Sequence, residues 1–81
     1  MVLKNGERLW LLELLDDVKP YMAETDSVDK LARRFLELAD SMDDFLRRMQ
    51  NEHDTIRNTA LSTDLRIYMN RIRSRLKTRT S

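Results

Sequence analysis

At 81 residues the chain makes one domain at most, and such a domain buries only about 60–65% of the surface its unfolded form exposes, which leaves a lone monomer marginally stable. It has no cysteine and a single histidine, which excludes a disulfide framework and a thiolate metal site and makes a zinc centre an unsuitable expectation. The net charge of +1 hides a division: residues 1–54 carry 8 Lys/Arg against 13 Asp/Glu (−5), and residues 55–81 carry 7 against 1 (+6).

One glycine (Gly6), one proline (Pro20) and few β-branched residues leave little from which to build strands and turns. The expected fold class is all-α: a small helical hairpin or three-helix bundle with coiled-coil-like packing, completed by oligomerisation or by a partner helix. The start MVLKNGERLW lacks a basic segment leading into a small-residue cleavage site, so no signal peptide is expected. No apolar run approaches the ~20 residues that span a bilayer, and the cytoplasm is the default location.

Met1 to Gly6 reads as a frayed lead-in with Asn5 as a cap. Helix 1 is expected over about residues 7–19. Leu9, Trp10, Leu11, Leu12, Leu14, Leu15 and Val18 make it apolar around most of its circumference, so it should be the most enclosed element. Pro20 disfavours helical geometry at Lys19 and marks a boundary or kink, and residues 21–26 form a loop.

Helix 2 is expected over about 27–50. A heptad from Val28 places Val28, Phe35, Met42 and Met49 at one apolar position and Leu31, Leu38 and Phe45 at the other. Ala32, Ala39 and Leu46 widen the stripe, while Leu36 falls outside it. Asp29–Arg33, Asp43–Arg47 and Asp44–Arg48 stand acid-first at i,i+4 on the outer faces. From residue 50 to 63 the pattern turns polar and resumes about one residue out of phase. Either the chain turns there, capped by Asp54 or Thr63, and folds back as helix 3 over about 55–78, or one helix continues for roughly 75 Å at about 1.5 Å per residue. The turn is favoured, because compact domains rarely carry so long a helix. Leu61, Leu65, Tyr68, Ile72 and Leu76 form the last apolar stripe, between a flank of Arg66, Asn70, Arg73 and Lys77 and a flank of Arg71, Arg75 and Arg79. Residues 79–81 should fray.

Two short stretches resemble known motifs. Leu31, Phe35, Leu38 and Met42, with Ala39 and Asp40, resemble the BH3 motif of cell-death regulators. That resemblance implies a helix donating four apolar anchors to a groove and its aspartate to an arginine of the partner. The run EHDTIRN around His53 loosely resembles the phosphoacceptor box of sensor histidine kinases, which would make His53 a phosphate acceptor on a dimeric helical hairpin. The Arg-rich last helix resembles the electrostatic footprint of a nucleic-acid-binding helix, with Tyr68 as its sole aromatic.

The sequence carries no phosphate-cradling Gly-rich loop and no nucleophile elbow, so an enzyme, a cofactor and a small-molecule substrate are not expected. The functional expectation is a non-enzymatic protein–protein interaction module, regulatory or an accessory subunit, that self-associates or takes a helix of another protein. Its interface residues would be Trp10, Leu11, Phe35, Leu36 and Leu38. Arg66, Arg71, Arg73, Arg75, Lys77 and Arg79 would contact phosphate or an acidic partner, and a nucleic-acid-binding regulator is the alternative.

Overall fold

Helix α1 (Asn5–Val18) leads into a 3₁₀ turn (Lys19–Tyr21), and α2 (Thr25–Leu38), α3 (Met42–Thr55) and α4 (Thr59–Thr80) follow. This computed structural model describes residues 3–80, with side chains described for residues 3–77. The helices pack into a body of 31 × 26 × 19 Å, with α4 against each of the other three. Four helices therefore replace the expected hairpin or three-helix bundle. The expected frayed tail at 79–81 falls outside the residues whose side chains are described.

The N-terminal lead-in is shorter than expected, for α1 starts at Asn5 and Leu3 is buried in the core. The Glu7 carboxylate accepts a hydrogen bond from the Lys4 amide (3.2 Å), satisfying one of the donors that a helix start leaves open. Pro20 ends α1 as its backbone chemistry requires, sitting at the start of the 3₁₀ turn.

The largest departure from expectation is the break in the long middle helix. At Ser41 the backbone is extended (φ −154°, ψ 170°), and its side chain accepts a hydrogen bond from the Asp44 amide at 3.1 Å. The Asp44 carboxylate reaches back to the Asp40 amide at 3.1 Å. The pair satisfies the open amides of a new helix start in the manner of a capping box, and the stretch Ser41-Met42-Asp43-Asp44 carries that signal in its spacing. The break ends the heptad. The buried residues of α2 are Val28, Ala32, Phe35 and Leu36, with Ala39 following, so the inward stripe is rotated by about one position from the expected one. Leu36 is 3% exposed and Leu38 48% exposed, the reverse of the heptad assignment.

The chain does turn between residues 50 and 63, but with different caps. Thr55 closes α3, its hydroxyl donating to the carbonyls of Asn51 (3.2 Å) and Glu52 (3.1 Å). Asn58, rather than Asp54 or Thr63, caps α4 by accepting from the Leu61 amide at 3.2 Å.

The core is drawn from every helix: Leu11, Leu14, Leu15 and Val18 from α1; the α2 stripe; Phe45, Leu46 and Met49 from α3; and Leu65, Tyr68, Met69 and Ile72 from α4. Tyr68 stands at its centre. Its ring meets Phe45 edge-on (centroids 6.2 Å apart, 83° between planes), and its hydroxyl donates to the Leu11 carbonyl at 2.7 Å. Burial pushes the Tyr68 phenol well above its ordinary range, and the charges of Asp16 and Asp29 add to the shift, so it stays a neutral donor.

Exchanging the two leucines tests the packing. Leu36→Ala is predicted to destabilise by roughly 2–5 kcal/mol, and Leu38→Ala by less than about 1 kcal/mol. Denaturant midpoints for the two variants that coincide, or that fall in the opposite order, contradict the rotated stripe.

Candidate interaction surface

The residues expected to meet a partner divide into buried and accessible groups. Leu11, Phe35 and Leu36 belong to the core and are not available as an interface, because the turn of α2 and the closure of α4 over α1 cover them. Leu38 is exposed at the end of α2, and Trp10 is half-buried, lining a shallow depression with Lys4, Gly6 and Glu7 at the start of α1. Leu9 (61% exposed) and Tyr21 are large exposed side chains that the sequence pattern did not single out. Leu9 was expected inside because α1 was read as apolar all round, whereas its buried side is a single stripe.

The anchors of the BH3-like stretch do not share a helix. α2 ends at Leu38, Ala39 is extended, Met42 begins α3, and Phe35 is buried. His53 lies in the last turn of α3. Its Nδ1 is 3.2 Å from Asp54 Oδ1, and its Nε2 is buried without a hydrogen-bond partner among the described residues. A phosphoacceptor needs an accessible ring nitrogen, and this ring presents neither freely. Arg57 and Asn58 lie beyond the helix, in the α3–α4 connection.

Charge distribution is the more telling feature. Half of the first half's cations are neutralised locally, while Lys4, Arg8, Lys30 and Arg34 form no ion pair among the described residues. Lys19 lies 3.2 Å from both Asp16 and Asp29, tying the end of α1 to α2, and Arg33 pairs with Asp29 at 2.9 Å. Arg33 above all, with Lys19, holds the Asp29 carboxyl below its ordinary range, and Asp16 followed by Asp29 raises the Lys19 ammonium. Arg47 (2.8 Å) and Arg48 (3.1 Å) both pair with Asp44, so Arg47 takes Asp44 rather than the expected Asp43.

On α4 the pattern changes. Arg66, Arg73, Arg75 and Lys77 are exposed and Arg71 is half-buried, while the side chain of Arg79 lies outside the described residues. Among the described residues, no carboxylate stands within ion-pair distance of Arg66, Arg71, Arg73 or Arg75. Arg73 instead donates to the Gln50 side chain at 3.4 Å, and Gln50 in turn donates to Asp54 at 2.9 Å. The one carboxylate of α4, Asp64, is 3% exposed and engaged elsewhere, accepting from the amides of Ala23 (3.2 Å) and Glu24 (2.5 Å) just ahead of α2. The inner face of α4 therefore holds the fold, and exposed cations stand on both flanks of that face, Arg66 and Arg73 on one and Arg75 on the other. The sequence pattern placed those cations on the last helix, but Asp64 escaped notice because it gave no periodic signal.

Asp44 offers a pH test of the α3 start. Arg47, then the Asp40 amide and Arg48, hold its carboxyl at about 2 against an ordinary 3.8. The folded value lies below the unfolded one, so the contribution is complete above the ordinary value and is lost as pH falls toward about 2. Asp44→Asn is predicted to flatten the acid limb of the stability profile in that window, as read by denaturant melts. An acid limb identical to that of the wild type contradicts the assignment.

Among the described residues, no group of three or more acidic or histidine side chains is placed to hold a metal ion, and no helix is long and apolar enough to cross a membrane. No family model matches the chain, and no curated protein or solved structure shows significant similarity to it.

Proposed function

We propose that the protein is a non-enzymatic binding module that takes an acidic protein surface on the outward side of α4. The observation that carries this reading is the exposure of Arg66, Arg73 and Arg75 on one helix, without a carboxylate partner among the described residues and with Asp64, that helix's only acid, buried. Unpaired guanidinium groups raise the rate and specificity of docking onto an acidic surface, and their planar forks suit carboxylates. A regulatory or accessory role in the cytoplasm accords with a small helical body that works through its surface.

Nucleic acid is the second reading, and the same cations favour it. Two features weigh against a phosphate polymer. Tyr68, the aromatic of this helix, is in the core and offers no stacking surface. Helix α1, which packs on α4, exposes Glu13, Asp16 and Asp17, and these repel an extended polyanion.

A triple variant, Arg66→Gln, Arg73→Gln and Arg75→Gln, tests the reading. The melting temperature is predicted to change little, because among the described residues these cations pair with no carboxylate. Salt-sensitive binding to immobilised polyglutamate is predicted to fall by about tenfold or more. A large loss of melting temperature, or undiminished binding, contradicts it. Tight salt-dependent binding of wild-type protein to random duplex DNA or RNA, lost in the variant, transfers the site to nucleic acid.

A further inference from the structure

We infer that the acidic surface taken by α4 is itself an α-helix, laid along one exposed stripe of α4 with its carboxylates at helical spacing, an inference that rests on the reading above. Thr59, Thr63, Arg66, Asn70, Arg73 and Lys77 recur at alternating steps of four and three residues, so they form one straight line along the helix. All six are exposed. The line runs roughly 27 Å at about 1.5 Å per residue, and it carries neither an acid nor an apolar side chain. Arg75 stands on the other flank and is not part of it. Between the cations the short side chains of Thr63 and Asn70 let a second backbone approach, and each both donates and accepts hydrogen bonds. Arg73 donates to Gln50 at 3.4 Å, which holds that guanidinium at the α3 edge of the stripe before a partner arrives.

The spacing of the cations selects the conformation of the partner. Arg66 and Arg73 stand two turns apart, about 10.5 Å along the axis, and Lys77 follows about 6 Å further on. A helix repeats these separations on one face wherever side chains stand seven and four residues apart, so glutamates there meet each cation without either axis bending. An extended chain turns successive side chains to opposite faces, and residues on one face recur every ~6.7 Å. Its carboxylates fall at about 7 and about 13 Å, on either side of the Arg66–Arg73 interval. A second copy of α4 does not serve, because two such stripes set cation against cation. The pairs would form near the surface, so association weakens as salt rises.

Calorimetric titration of the full chain with two alanine-based helical peptides of identical composition tests this. One carries its glutamates at i, i+4, i+7 and i+11, a single stripe that reads the same in either direction, and the other spreads the same glutamates round the helix. Circular dichroism checks that both peptides are helical. The striped peptide is expected to bind about tenfold or more tightly than the spread one, and to weaken as salt rises. Arg66→Gln with Arg73→Gln is expected to abolish that advantage, and Arg75→Gln to leave it unchanged. Polyglutamate, a flexible chain that reaches both flanks, is expected to weaken in either variant. Equal affinity for the two peptides overturns the inference, as does an advantage that Arg75→Gln removes. Polyglutamate that still binds through α4 in those cases leaves the acidic-partner reading standing with a partner of another shape. Absence of binding to both peptides and to polyglutamate removes both. Duplex DNA that displaces the striped peptide at equal concentration transfers the stripe to nucleic acid and overturns the inference as well.

Discussion

The fold depends on one side chain more than any other. Tyr68 lies in α4, donates its hydroxyl to a carbonyl of α1 and sets its ring edge-on to Phe45 of α3. A buried phenol without an acceptor is costly, so the hydroxyl fixes how far α4 slides along α1. The acceptor already belongs to an α-helix, and a carbonyl has two lone pairs, so the contact is made without unwinding α1. Asp64, one turn earlier, performs the matching task for α2. Its carboxylate takes the two amides that precede the helix and seats the start of α2 against α4. Between them these two residues let the last helix organise the three that come before it.

Helix content was legible because periodicity is a strong signal, and so was the α1 boundary at Pro20, where ring geometry acts locally. The break at residues 39–41 was masked by a real coincidence. Met42, Phe45 and Met49 continue the heptad of Val28, Leu31 and Phe35 in number, and only the Ser41–Asp44 cap reveals that a different helix carries them. A cap contributes about 1 kcal/mol locally, yet it redirects a whole segment when the core on both sides accepts the new angle. The exchange of Leu36 and Leu38 follows from that change of direction. Asp64 could not be seen because its partners are main-chain amides about forty residues away, and no spacing rule connects them.

The cationic flank was legible residue by residue, but its state was not. The sequence divides its charge, −5 over residues 1–54 and +6 over residues 55–81, without showing which carboxylates the cations meet. The fold pairs Asp16, Asp29 and Asp44 with Lys19, Arg33, Arg47 and Arg48, and engages Asp64 with the backbone. The outer arginines of α4 are left to solvent because, among the described residues, no carboxylate stands within ion-pair distance of them. Closure of the apolar core within one chain also removes the reason first given for self-association, because Leu11 and Leu36 are covered.

The central claim is that α4 works from both sides, with its inner face as the hub of the core and its outer flank as the contact surface. Side-chain and amide nitrogen resonances of ¹⁵N-labelled protein, followed while unlabelled polyglutamate is added, test it most directly. The account predicts that shifts concentrate at Arg66, Arg73 and Arg75, while the amides of Leu11, Phe45 and Tyr68 stay in place. Shifts centred on α2 or α3, or a core that moves together with the flank, would contradict it.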